Sequence, residues 1–141
     1  MGDRGNIKVR EANGNSIYIY GHWMGHEMPK RLQEALIFAK DRWNDESYLT
    51  RTLITEVCKG ARDATGYGVS TYPTDNEYDV MEVESDSQVV RVLDKTGFHD
   101  EKRNWEKDQR KIKAEWTFEE YCALPMEDDP WAVLRKAPVP Q

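Results

Sequence analysis

The chain has 141 residues, a length that suits one domain with a real core. It is 38% hydrophobic, 33% charged and 11% aromatic, with a net charge of −6, and so many aromatics argue against a disordered chain. Its lysines and arginines form no basic block, which excludes duplex nucleic acid as an expected partner. No apolar run approaches the roughly 20 residues that cross a bilayer, so no membrane partner is expected either.

Asn6 to Glu11 alternates, with Ile7 and Val9 on one side. Ser16 to Tyr20 alternates again, with Ile17 and Ile19 opposed to Tyr18 and Tyr20. Asn13-Gly14 between them tolerates the positive φ angles of a type I′ turn, which predicts a hairpin. Pro29 suits the first turn of a helix. Leu32, Ala35, Leu36 and Ala39 follow at helical spacing, and Trp43 extends the stripe. A second helix is expected from about Tyr48 to Lys59, with Leu49, Leu53, Ile54 and Val57 inward and Gly60 as its stop. Beyond Gly66-Tyr67-Gly68, the runs Val69 to Tyr72, Tyr78 to Glu84 and Gln88 to Leu93 predict a meander of three strands.

Asp94 to Lys113 is densely charged with both signs and reads as a solvated loop or exposed helix. Ile112, Ala114 and Trp116 alternate and suggest a further strand, and Thr117 with Glu120 forms a capping box before a short helix. Four of the six prolines lie from Pro125 onward, where Pro130 would open a small helix, Trp131 to Arg135. The expected fold is α+β: an antiparallel sheet of about five strands with two main helices packed on one face. The domain would span 1–124, followed by a Pro-rich tail over 125–141.

The densest chemistry lies in Tyr18 to Glu27, where an alternating strand gives way to a helix; binding groups are often carried on loops of this kind. His22, His26 and Glu27 suggest a metal, but Gly21, Gly25 and Pro29 break the helical spacing a His-x-x-x-His pair needs. The zinc-protease motifs are absent, and His99 would join only through a long-range fold. No metal and no cofactor is expected. Tyr18, Tyr20 and Trp23 read either as packing on a half-buried sheet or as a stacking platform for a purine or nicotinamide ring.

Gly66-Tyr67-Gly68 is a plain turn or a loop that lets backbone N–H groups approach an anion, and no Gly-Lys-Ser/Thr follows to make a P-loop. Asp75, Glu77 and Asp79 begin like a calcium loop, but Val80 and Asp86 stand where that loop needs Gly and Glu. Arg42, Arg51 and Lys59, on the polar sides of the helices, read as surface charge, or, if the helices flank a site, Arg42 or Arg51 would clamp a phosphate or carboxylate. Cys58 and Cys122 read as buried free thiols of a reducing compartment. With no charged-then-apolar leader at the start, a cytoplasmic protein is expected.

Several of these elements together resemble a family of small uncharacterised proteins carried by bacteria and phages. They are Asp3-Arg4 with Asn6-Ile7, Ile17-Tyr18 through His22-Trp23, Arg42-Trp43, Tyr48-Leu49, Thr65-Gly66-Tyr67-Gly68-Val69-Ser70 and Trp116-Thr117-Phe118-Glu119-Glu120. The likeness runs over roughly residues 3 to 121. It implies a host-cell cytoplasm and a mobile-element role, and it carries no activity.

Three functional readings follow. The first is a non-catalytic binding protein that sequesters a small nucleotide-like ligand or blocks a host protein such as a defence component. Its site would comprise Tyr20, His22, Trp23, His26, Arg42, Arg51, Tyr67 and Tyr72. The second is a small hydrolase or nucleotide-modifying enzyme with His22 or His26 as general base, although no activated Ser or Cys is evident. The third is an interaction module in which the helices or the Pro-rich tail bind a partner protein, so that edge strands and an exposed Trp131 would matter, with a homo-oligomer left open.

Overall fold

The computed structural model describes residues 3–59, 66–72, 77–94, 112–126 and 128–136. The expected positions Gly60, Asp75 and His99 and most of the charged insert lie outside them. Strand β1 (Gly5–Arg10) and strand β2 (Ser16–Gly21) form the anticipated hairpin, with Ile7 opposite Ile19 and Val9 opposite Ile17. Its turn differs from the expected two-residue form. Glu11 and Asn15 close a three-residue loop: the Glu11 N–H donates to the Asn15 carbonyl at 2.9 Å, and the Gly14 N–H donates to the Glu11 carbonyl at 2.9 Å. Only Gly14 has positive φ, at +89°, and the Asn13 side chain accepts from the Asn15 N–H. A three-residue loop needs one left-handed residue where a type I′ turn needs two.

Helix α1 (Met28–Phe38) starts with Pro29 in its first turn, and helix α2 (Glu46–Val57) returns beside it. Strand β3 (Tyr67–Ser70) then pairs antiparallel with β2, while strand β4 (Val80–Glu84) lies parallel to β1. Strands β5 (Val89–Leu93) and β6 (Ile112–Thr117) extend the sheet antiparallel, giving the order β3-β2-β1-β4-β5-β6. The sheet is therefore mixed and six-stranded, where an antiparallel one of about five strands was expected. The expected meander is absent too, because β3 and β4 sit on opposite sides of the β1–β2 hairpin. Both edges of that hairpin offer unpaired backbone groups. Strand β3 fills one and β4 the other, and β4 beside β1 is the single parallel pair among the described strands.

One face of the sheet is apolar throughout. Ile7, Val9, Ile19, Met81, Val83, Val90, Val92 and Trp116 form one buried cluster with Leu32, Ala35 and Leu36 of α1 and Leu49, Leu53 and Val57 of α2. Each fully buried side chain of this size stabilises the fold by about 1.5–3 kcal/mol. Helix α3 (Phe118–Cys122) begins with the anticipated capping box between Thr117 and Glu120. It is tied to α1 by the Tyr121 hydroxyl, which donates to the Pro29 carbonyl at 2.6 Å, and by the Gln33 amide, which donates to the Leu124 carbonyl at 2.8 Å.

Helix α4 (Pro130–Arg135) is part of the same core, with Trp131 and Leu134 buried in it. Trp131 is thus not the exposed contact residue of the third reading.

The other face carries charge in register. Lys8 lies beside Glu82 at 3.2 Å, both side chains about 6% exposed, and Arg91 reaches Glu82 at 3.0 Å and Glu84 at 3.4 Å. Tyr18, Val80 and Leu93 form a small apolar cluster on this face. Buried pairs of this kind roughly offset their own desolvation, so they fix register more than they add stability.

Candidate functional site

The strand-to-helix junction owes its shape to two glycines. A Cβ on Gly25 would stand 2.6 Å from the Tyr78 ring and 2.9 Å from the Arg4 backbone, and one on Gly21 would meet Met24 and Met28 at 2.6 Å. The glycines serve close packing. Backbone bonds then lace the turn: the Asp3 N–H donates to the His22 carbonyl at 2.7 Å, the Gly25 N–H to the Asp3 carbonyl at 2.8 Å, and the His22 N–H to the Gly66 carbonyl at 2.8 Å. The last bond brings the Gly66-Tyr67-Gly68 segment against His22-Trp23, two motifs that the sequence separates by more than 40 residues.

On this frame Tyr20, His22 and Trp23 form one aromatic step. The Tyr20 hydroxyl lies 2.7 Å from His22 Nδ1. The His22 ring meets Trp23 edge-on, with centroids 4.3 Å apart and planes at 90°. Trp23 is 58% exposed, and its Cδ1 lies 3.6 Å from where a Cβ on Gly66 would stand. A Cβ at 66 would only touch the indole, but the φ of +89° would strain any larger residue there. The direction of the Tyr20–His22 bond follows the His22 tautomer, and His22 Nε2 has no partner among the described residues.

His26 is placed differently. Its Nδ1 bonds to the Asp3 carboxylate, and its Nε2 lies 3.6 Å from Glu27. Burial works to raise the Asp3 pKa, but hydrogen bonds from Tyr78 and His26 outweigh it and hold the carboxyl below its usual 3.8. Burial, reinforced by the bond to Asp3, pushes the Tyr78 hydroxyl up to about 12. Tyr78 stacks on Trp131 at 5.5 Å, and Trp131 Nε1 donates to the Gly25 carbonyl at 2.9 Å. His26 thus belongs to the network that docks α4 under the turn. The two histidines have separate partners, and among the described residues no group of His, Cys, Asp or Glu is placed to hold a metal ion.

Tyr67 sits opposite Gly21 at the start of β3, and its hydroxyl accepts from Arg31 at 3.2 Å. Arg31 also donates to the Val57 carbonyl at 2.9 Å and pairs with Glu27 at 3.2 Å. It is the arginine that the fold brings to the junction, and the sequence reading missed it. Its only signal was its place in the first turns of α1, on the flank of the apolar stripe. Beside it lies a cleft of about 310 Å³ between α1, the end of α2 and the start of α4, lined by His26, Lys30, Arg31, Glu34, Glu56 and Lys59 among others.

The remaining expected site residues stand apart. Arg42 follows α1 at its far end, where it lies 4.7 Å over the Tyr48 ring and 3.7 Å from Asp45. An 11-residue helix, about 16 Å long, separates it from the junction. Arg51 is exposed on α2 and does not line the cleft. Tyr72 is half-exposed just past the other end of β3, where its carbonyl accepts from Ser70 Oγ at 2.6 Å. Cys58 and Cys122 are free and partly buried, and burial raises both thiol pKa values. No family model, curated protein or solved structure matches the chain.

Proposed function

We propose that the protein is a non-catalytic binding protein that holds a small nucleotide-like ligand at the strand-to-helix junction, acting by sequestration. The observation that carries this reading is Trp23. A large aromatic is 58% exposed, while its edge is braced by His22 and His22 is braced by Tyr20. A solvent-facing tryptophan in a rigid setting is costly as surface and useful as a stacking face, where a base contributes about 1–3 kcal/mol. His22 Nε2, without a partner among the described residues, is open to the polar edge of such a base. Neither His22 nor His26 faces a Ser, Thr or Cys nucleophile among the described residues, which favours holding over transforming. A role in the cytoplasm of a bacterial host, against a signalling nucleotide, fits the same proposal.

The test is a thermal-shift screen against mononucleotides and cyclic dinucleotides with wild type and Trp23→Ala. At least one nucleotide is expected to raise the Tm of wild type and to leave Trp23→Ala unmoved. A flat response across the panel, or the same shift in both proteins, would overturn the reading.

A further inference from the structure

The cleft beside Arg31 carries an arrangement that the stacking reading leaves unused. Its floor is apolar, made by the buried Ala35 and Pro130. Its walls carry both signs: Arg31, Lys30 and Lys59 against Glu27, Glu34, Glu56 and Asp128, with Glu27 already paired to Arg31. Lys30 and Glu34 are four apart on α1, and Glu56 and Lys59 are three apart at the end of α2, the spacings at which helical neighbours pair. Neither pair forms. Among the described residues Lys30, Glu34, Glu56, Lys59 and Asp128 make no ion pair at all.

Arg31 is the fixed point of the cleft. Its side chain is 24% exposed, and Glu27, the Val57 carbonyl and the Tyr67 hydroxyl hold its guanidinium in place before anything binds. A cation held in this way loses little freedom on meeting an anion, and that preorganisation favours affinity. A guest with only an anionic group would face Glu34, Glu56 and Asp128. One with only a cationic group would face Arg31, Lys30 and Lys59. Like-signed contacts of this sort select against both.

We infer that this cleft is a second ligand site, and that it takes a small zwitterion bearing a primary ammonium and a carboxylate: a free amino acid or a short peptide. The carboxylate sits on Arg31 with Lys30 and Lys59, the ammonium on Glu34, Glu56 and Asp128, and a small apolar side chain on Ala35 and Pro130. Tyr20, His22 and Trp23 are not among the residues that line this cleft.

Isothermal titration calorimetry of the full chain tests it with L-alanine and L-alanyl-L-alanine, two sources of the same chemistry, and with the N-acetylated and C-amidated forms of each. At least one zwitterion is expected to give saturable heat, and its blocked forms to bind at least about ten-fold more weakly, as loss of one charged contact implies. Lys59→Ala and Glu56→Gln, both on the cleft's rim, should each weaken the zwitterion by a similar factor. Trp23→Ala should leave it unchanged, so that the two sites fail separately. Absence of heat with either zwitterion, equal binding of the blocked forms, or loss of binding in Trp23→Ala would overturn the inference.

Discussion

The two ends of the α1–α2 pair carry similar residue types and do different things with them. At the far end Arg42 lies over the half-exposed Tyr48 ring and beside Asp45, all in contact with water. At the near end Arg31 is sunk between α1, α2 and β3 and bonded to a tyrosine hydroxyl and a backbone carbonyl. Exposed charge pairs contribute little because solvent screens them and their side chains lose freedom on pairing. A half-buried guanidinium held by Glu27, a backbone carbonyl and a tyrosine hydroxyl keeps its position. The fold fixes the arginine at the near end, a property that residue type alone does not convey.

Breaking the near end should therefore cost far more than breaking the far end. The largest effect is expected from Trp131→Ala, which removes the buried ring stacked on Tyr78 and the bond to Gly25 that closes the turn. Chemical denaturation should show a loss of about 3–5 kcal/mol. A value under about 1 kcal/mol would mean that α4 is not docked under the junction. Arg31→Ala should come next, at about 1–3 kcal/mol, since it strands the Val57 carbonyl and the Tyr67 hydroxyl.

Asp3→Asn sharpens the comparison through pH. The folded-state pKa of Asp3 is depressed, so its stabilisation is present above its ordinary 3.8 and is lost as pH falls through the lower folded value. Wild type should be the more stable at neutral pH, and the gap between the two proteins should close in acid. A gap independent of pH would mean that the carboxylate charge is not what His26 and Tyr78 hold. The smallest effect belongs to Arg42→Ala, expected within about 0.5 kcal/mol of wild type. A larger loss would put the far end on the same footing as the near one.

What could be read in the sequence was local. The hairpin, Pro29 opening α1, the apolar stripes of both helices and the Thr117–Glu120 capping box each rest on contacts within a few residues, and each forms. What escaped was long-range. Nothing near Val80 signals that β4 will lie parallel to β1, because that pairing is set by the arrangement of the whole sheet, with β3 on the other edge of the hairpin. Arg31 could not be told from Arg42 or Arg51, since beyond the local Glu27 its partners Val57 and Tyr67 lie 26 and 36 residues away. Gly25 read as loop punctuation, and its reason is the Tyr78 ring. Of the expected site, the Tyr20-His22-Trp23 step was legible because it lies within four consecutive residues. The arrival of Gly66 and Tyr67 beside it was a matter of sheet pairing.

The most direct measurement is an NMR titration of the indole N–H signals of the five tryptophans with nucleotides and cyclic dinucleotides. Trp43 and Trp131 donate their indole protons to the Leu36 and Gly25 carbonyls and serve as internal standards. The account predicts that the Trp23 signal moves on titration with a binding nucleotide, while those of Trp43 and Trp131 stay in place. A Trp23 signal that stays fixed at saturating concentrations of every nucleotide tried, or movement confined to the buried tryptophans, would contradict it.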